Sequence, residues 1–123
     1  MDIKECESLE TELKKNTEIL ENTFERLNLK VLSIAYSGKI EDTGLNLWVE
    51  LVALNGSEIV LPNNCCGCYV DIKVNFYENK KLLCSDSESI FIDDFNGYDT
   101  IHIYMQYANI LSRATSARIY ATT

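Results

Sequence analysis

From about Leu29 to Thr122 the chain alternates apolar and polar residues in short segments separated by turn residues. Period-two alternation buries one face of an extended segment and wets the other, so each segment reads as a half-buried β-strand. Leu27, Leu29, Val31, Ser33 and Ala35 alternate with polar positions up to a turn signal at Ser37-Gly38, and Asp42-Thr43-Gly44 is a second turn signal. Leu45, Leu47, Val49, Leu51 and Ala53 then share one face, with Asn46, Trp48, Glu50 and Val52 on the other. Asn55-Gly56 predicts a tight hairpin, because both residues tolerate the positive φ of a type I′ turn. A short return strand from Glu58 to Leu61 comes next, ended by Pro62.

Val70, Ile72, Val74 and Phe76 form the most regular alternation, followed by a turn at Glu78-Asn79-Lys80. Leu82 and Leu83 open one further strand, Ile90 and Ile92 mark another, and a polar loop from Asp94 to Asp99 precedes Ile101, Ile103 and Met105. Ala117, Ile119 and Ala121 complete the series. About seven or eight strands at a spacing of roughly ten residues predict an all-β antiparallel sandwich.

Ahead of the strands, Asp2 to about Asn22 is rich in Glu, Lys and Leu without Gly or Pro and predicts a helix. Cys6, Leu13, Leu20 and Leu27 recur every seven residues beside Ile3, Glu10, Thr17 and Phe24, which gives one apolar stripe rather than two coiled-coil positions. The division expected is a helix over 1–24 and a β-sandwich domain over 25–123. The helix either packs on its own domain or serves, through Leu13 and Leu20, as a docking or dimerising element.

The stretch Val70-Asp71-Ile72-Lys73-Val74-Asn75-Phe76-Tyr77-Glu78-Asn79-Lys80-Lys81-Leu82-Leu83, with Ser85-Asp86-Ser87-Glu88 and the turn near Asn96-Gly97, resembles the second half of FxLYD-type and related immunoglobulin-like bacterial sandwich domains. Those domains run a strand into an aromatic pair, an acidic turn and a Leu/Val return strand. The chain departs from them in its cysteine-rich approach to the strand, its N-terminal helix and the absence of a lipoprotein-like export segment. The resemblance implies an immunoglobulin-like fold and a non-catalytic binding or structural module, with no active-site residues to carry over.

Composition narrows the role. The 123 residues carry a formal net charge of −8 from 11 basic and 19 acidic side chains, spread along the whole chain, which disfavours nucleic acid and anionic lipid. The longest apolar stretches are too short to span a bilayer. No secretory signal is recognisable, so the expected compartment is the cytoplasm, or outside it if a leader has been removed. The expected partner is another protein or a second copy, without nucleic acid, membrane insertion or cofactor.

Five cysteines cannot pair completely within one chain. Cys65, Cys66 and Cys68, with Cys84 from a neighbouring strand, offer four sulfurs, the basis of an alternative metal- or redox-responsive reading against one of small packed thiols. His102 is the sole imidazole and no Gly-x-Ser-x-Gly elbow is present, so nucleophilic hydrolysis lacks its parts. Asp86, Glu88, Asp93, Asp94 and Asp99 match no EF-hand spacing. Trp48, Tyr69, Tyr98, Tyr104, Tyr107 and Tyr120 form either an exposed aromatic face, with Trp48 and Tyr104 as partner contacts, or a second buried face. The reading that results is a non-enzymatic protein-binding or structural sandwich.

Overall fold

The computed structural model describes residues 3–39, 44–62, 67–106 and 111–123. These residues hold two helices, α1 (Ile3–Lys15) and α2 (Glu21–Glu25), and the strands β1 (Thr17–Ile19), β2 (Leu29–Lys39), β3 (Gly44–Ala53), β4 (Tyr69–Glu78), β5 (Lys81–Phe91), β6 (Tyr98–Met105) and β7 (Ser116–Thr122). One sheet has the order β1-β7-β4-β5, the other β2-β3-β6, and every pairing is antiparallel except β1 with β7. The architecture is therefore mostly β, as the alternation predicts. No described helix is long and apolar enough to cross a membrane.

The inner faces of the two sheets share one core. Val70, Ile72, Val74 and Phe76 of β4 are wholly buried, as are Leu45, Leu47, Val49 and Leu51 of β3 and Ile119 of β7. Each large apolar side chain removed from water in this way contributes roughly 1.5–3 kcal/mol.

Four local expectations fail, each for a physical reason. The helix stops at Lys15 instead of continuing to about Asn22. Thr17 donates its hydroxyl hydrogen to the Leu13 carbonyl, its Oγ1 lies 2.8 Å from the Tyr36 hydroxyl, and the Asn16 carbonyl accepts from the Ala117 amide. Tertiary pairing with β7 thus outweighs helix propensity over Thr17–Ile19. Leu13 consequently lies fully buried in the chain's own core beside Leu9, Phe24 and Leu27, and it presents no surface to a partner as expected of it. Leu20, also read as a partner contact, is half-buried and donates its amide to Ile119 O.

In β2 a bulge between Val31 and Ser33 ejects Leu32, which is 53% exposed, and reverses the parity of the remainder of the strand. Ser33 and Ala35, expected inward, face out, and Tyr36 takes the core position. The strand also runs through Ser37-Gly38, the place of an expected turn.

Leu54–Ser57 bends without forming the predicted hairpin, and Glu58–Leu61 joins no sheet. Asn28 replaces the missing ladder. Its Nδ2 donates to the carbonyls of Asn55 (2.7 Å) and Glu58 (2.9 Å), its Oδ1 accepts from the Asn55 amide (3.1 Å), and its backbone carbonyl accepts from the Leu54 amide (2.9 Å). Finally, Leu82, Leu83 and Ile90 belong to one strand rather than two, and Ile92 begins a short 3₁₀ turn.

Candidate functional site

Among the described residues, the outer face of the β2-β3-β6 sheet gathers aromatic and polar side chains in mutual contact. Register sets Ser33, Ala35 and Ser37 of β2 opposite Glu50, Trp48 and Asn46 of β3. Those three in turn lie opposite Thr100, His102 and Tyr104 of β6. An outward sheet face is ordinarily wet and loosely arranged, but here it is braced. The Trp48 and His102 rings stack with centroids 3.9 Å apart and planes 12° from parallel. The Asn46 amide, only 4% exposed, donates through Nδ2 to the Ser37 carbonyl (3.1 Å) and its Oδ1 accepts from His102 Nε2 (2.6 Å). That pairing fixes the hydrogen on Nε2 and leaves the buried amide satisfied at both ends.

Tyr104 closes one end of the face. Its ring lies over Gly44, where a Cβ would meet the outer end of the ring, so a side chain there would displace Tyr104 from this seat. At the other end Glu50 accepts at Oε1 from the Ser33 hydroxyl (2.6 Å) and at Oε2 from the Tyr98 hydroxyl (2.7 Å). The Ser33 and then the Tyr98 hydrogen bond hold its carboxyl below the usual glutamate range, because both favour the ionised form. Trp48 remains 40% exposed and Tyr98 54% exposed above these supports.

The aromatic residues singled out in the sequence therefore divide. Trp48, Tyr98 and Tyr104 share this face with His102. Tyr69, tilted against Phe91, and Tyr120, opposite Lys73, lie on the outer face of the other sheet. Tyr107 lies outside the described residues. Asn46, Glu50 and Ser33 carry no sequence signal of their own: their roles come from cross-strand register, which for Ser33 the Leu32 bulge sets.

The two cysteines whose side chains are described, Cys68 and Cys84, lie far apart. Cys68 immediately precedes β4, whereas Cys84 is the cross-strand neighbour of Phe76, roughly 26 Å of extended strand away. Cys65 and Cys66 lie outside the described residues. Burial, followed by the nearby Asp86 charge, pushes the Cys84 thiol up, which disfavours the thiolate that metals and oxidants need. Among the described residues no group of three or more His, Cys, Asp or Glu side chains is arranged to hold a metal. The loop carboxylates disperse accordingly: Asp86 and Glu88 lie on β5, Asp93 and Asp94 in the 3₁₀ turn, and Asp99 on β6.

Comparison of the chain with protein-family models and with curated proteins finds no match to either.

Proposed function

We propose that the chain is a non-catalytic binding module on an immunoglobulin-like sandwich, and that it binds through the outer face of the β2-β3-β6 sheet. The connectivity supports the immunoglobulin-like reading. β3 pairs with β6 in one sheet while β4 pairs with β7 in the other, so two successive crossings interlock the sheets as the B–E and C–F pairs do in that fold. The N-terminal β1, parallel to β7, occupies the place of the last strand.

The observation that carries the binding reading is Trp48: a large aromatic side chain left 40% exposed yet held rigid by His102, which is itself held by a buried amide. Fixing a contact residue before the partner arrives removes the ordering cost of binding. His102 spends its ring on Trp48 and its Nε2 hydrogen on Asn46, an arrangement suited to bracing rather than to proton transfer.

The test is the solution accessibility of Trp48, the sole tryptophan. Acrylamide should quench its emission efficiently, and sedimentation should give the mass of one chain at micromolar concentration. A Trp48 shielded from acrylamide in a dimer, and exposed on dilution, would replace this reading with a self-association face.

A further inference from the structure

We propose that this face takes a neutral carbohydrate, with a pyranose ring on the indole of Trp48 and the sugar chain running along β2; the proposal rests on the binding-face reading above. The geometry of the indole comes first. His102 of β6 covers one side of the ring, so the other side looks across the sheet toward β2, where the directly opposite residue is Ala35. Ser33 and Ser37 flank it at the next outward positions, and Ser33 and Ala35 are exposed. A column of small side chains beside one large standing ring makes a shallow trough walled by Trp48. From Ser33 to Ser37 it runs about 13 Å, room for two pyranose rings end to end.

The chemistry around the trough selects the ligand class. The axial C–H groups of a pyranose present a weakly positive, apolar patch that suits the negative face of an indole. Its hydroxyls need planar acceptors held in fixed directions. Glu50 supplies these: each oxygen already accepts one protein hydrogen bond and keeps a further lone-pair site, and the two supports prevent the carboxylate from turning away. A hydroxyl donating to an ionised carboxylate makes the stronger, charge-assisted kind of hydrogen bond. The Ser33 hydroxyl donates to Glu50 and retains acceptor capacity for the same ligand.

Charged ligands fit less well. A polyanion meets a chain of net charge −8. A basic peptide meets Lys30 as well as Glu50, because Lys30 is paired with Val52 and so lies on the same outward face. A protein interface would need a water-excluding apolar centre, whereas the rows flanking Ala35, Trp48 and His102 are Ser33-Glu50-Thr100 and Ser37-Asn46-Tyr104, polar but for one phenol ring.

The decisive experiment titrates the intact chain with maltohexaose, cellohexaose and chitohexaose while following Trp48 emission, with calorimetry as a second readout. At least one should produce a saturable blue shift with Kd of about 10 µM to 1 mM. Trp48→Ala, read by calorimetry, should weaken that binding roughly tenfold or more, Glu50→Gln by several-fold, and Leu82→Ala, an exposed change on the other sheet, not at all. Normal far-ultraviolet spectra for the variants exclude unfolding as the cause. An acrylamide-accessible Trp48 with no saturable response to any of the three oligosaccharides overturns the carbohydrate proposal and leaves the binding-face reading standing. Binding that survives Trp48→Ala unchanged also overturns it, and a Trp48 shielded by a second copy overturns both.

Discussion

Trp48 and His102 lie face to face, 3.9 Å between ring centroids, on adjacent strands at one cross-strand position. They are the only tryptophan and the only histidine of the chain, so one optical signal reports one ring contact. An imidazole at stacking distance covers one face of the indole and keeps water and small quenchers from it. His102→Ala, measured at constant pH, is therefore expected to shift Trp48 emission to the red and to raise its quenching by acrylamide. Leu82→Ala, an exposed change on the other sheet, should alter neither, and emission unmoved by His102→Ala would show that the stack does not exist in solution.

Glu50 gives a second prediction on the same face. Its two hydrogen bonds hold the folded-state pKa below the unfolded one. The sign is set by linkage: the contribution is present above the unfolded-state pKa and is lost as pH falls through the folded value. The carboxylate is expected to remain ionised to lower pH than an ordinary glutamate in a carbon-detected NMR titration. Ser33→Ala, which removes the largest support, should move its midpoint upward, and an unchanged midpoint would contradict the hydrogen-bond geometry.

The alternation of Val70 to Phe76 and of Leu45 to Leu51 is fully legible in the sequence, because both strands are regular and one face of each is buried without exception. The site is legible there only as a set of aromatic residues. Its supports depend on register, and the Leu32 bulge that sets register in β2 leaves no trace in a period-two count. The helix boundary is illegible for another reason: Thr17–Ile19 pairs with β7, a hundred residues later in sequence. Asn55-Gly56 suits a hairpin locally, and the distant Asn28 captures it instead.

Asn28 should be among the most sensitive polar positions. It sits at φ +64° and its side chain makes three hydrogen bonds to the backbone of residues 55–58. Asn28→Ala loses all three and places an alanine in a left-handed conformation, an expected cost of about 2–4 kcal/mol. Asn28→Gly relieves the backbone part only and should lie between wild type and Ala in urea midpoint. Equal stability of Ala and Gly variants would show that the φ value carries no cost.

Leu13 distinguishes a core role from a docking role. It is fully buried between α1 and the sheets, so Leu13→Ala should destabilise the fold by about 2–5 kcal/mol through the cavity it leaves. The mass in solution should not change. A variant that keeps wild-type stability and loses a dimer would return the helix to the partner-binding role that its burial removes.

Tyr36 predicts where the fold weakens in alkali. Its hydroxyl lies 2.8 Å from Thr17 Oγ1, and because Thr17 gives its own hydrogen to the Leu13 carbonyl, the phenol donates. Burial pushes its pKa from 10 to about 12, since the phenolate would be stranded away from water. The neutral form is thus stabilised by folding: its contribution is complete below pH 10 and declines as pH rises to about 12, because the unfolded chain ionises first. Over that window the loss amounts to about 2–3 kcal/mol. Tyr36→Phe should cost about 0.5–1.5 kcal/mol at neutral pH by removing the hydrogen bond. It should also flatten the alkaline decline, so that the wild-type and variant stability curves converge or cross above pH 10. Parallel curves in urea titrations between neutral pH and pH 12 would show that Tyr36 ionises as freely in the folded chain as in the unfolded one.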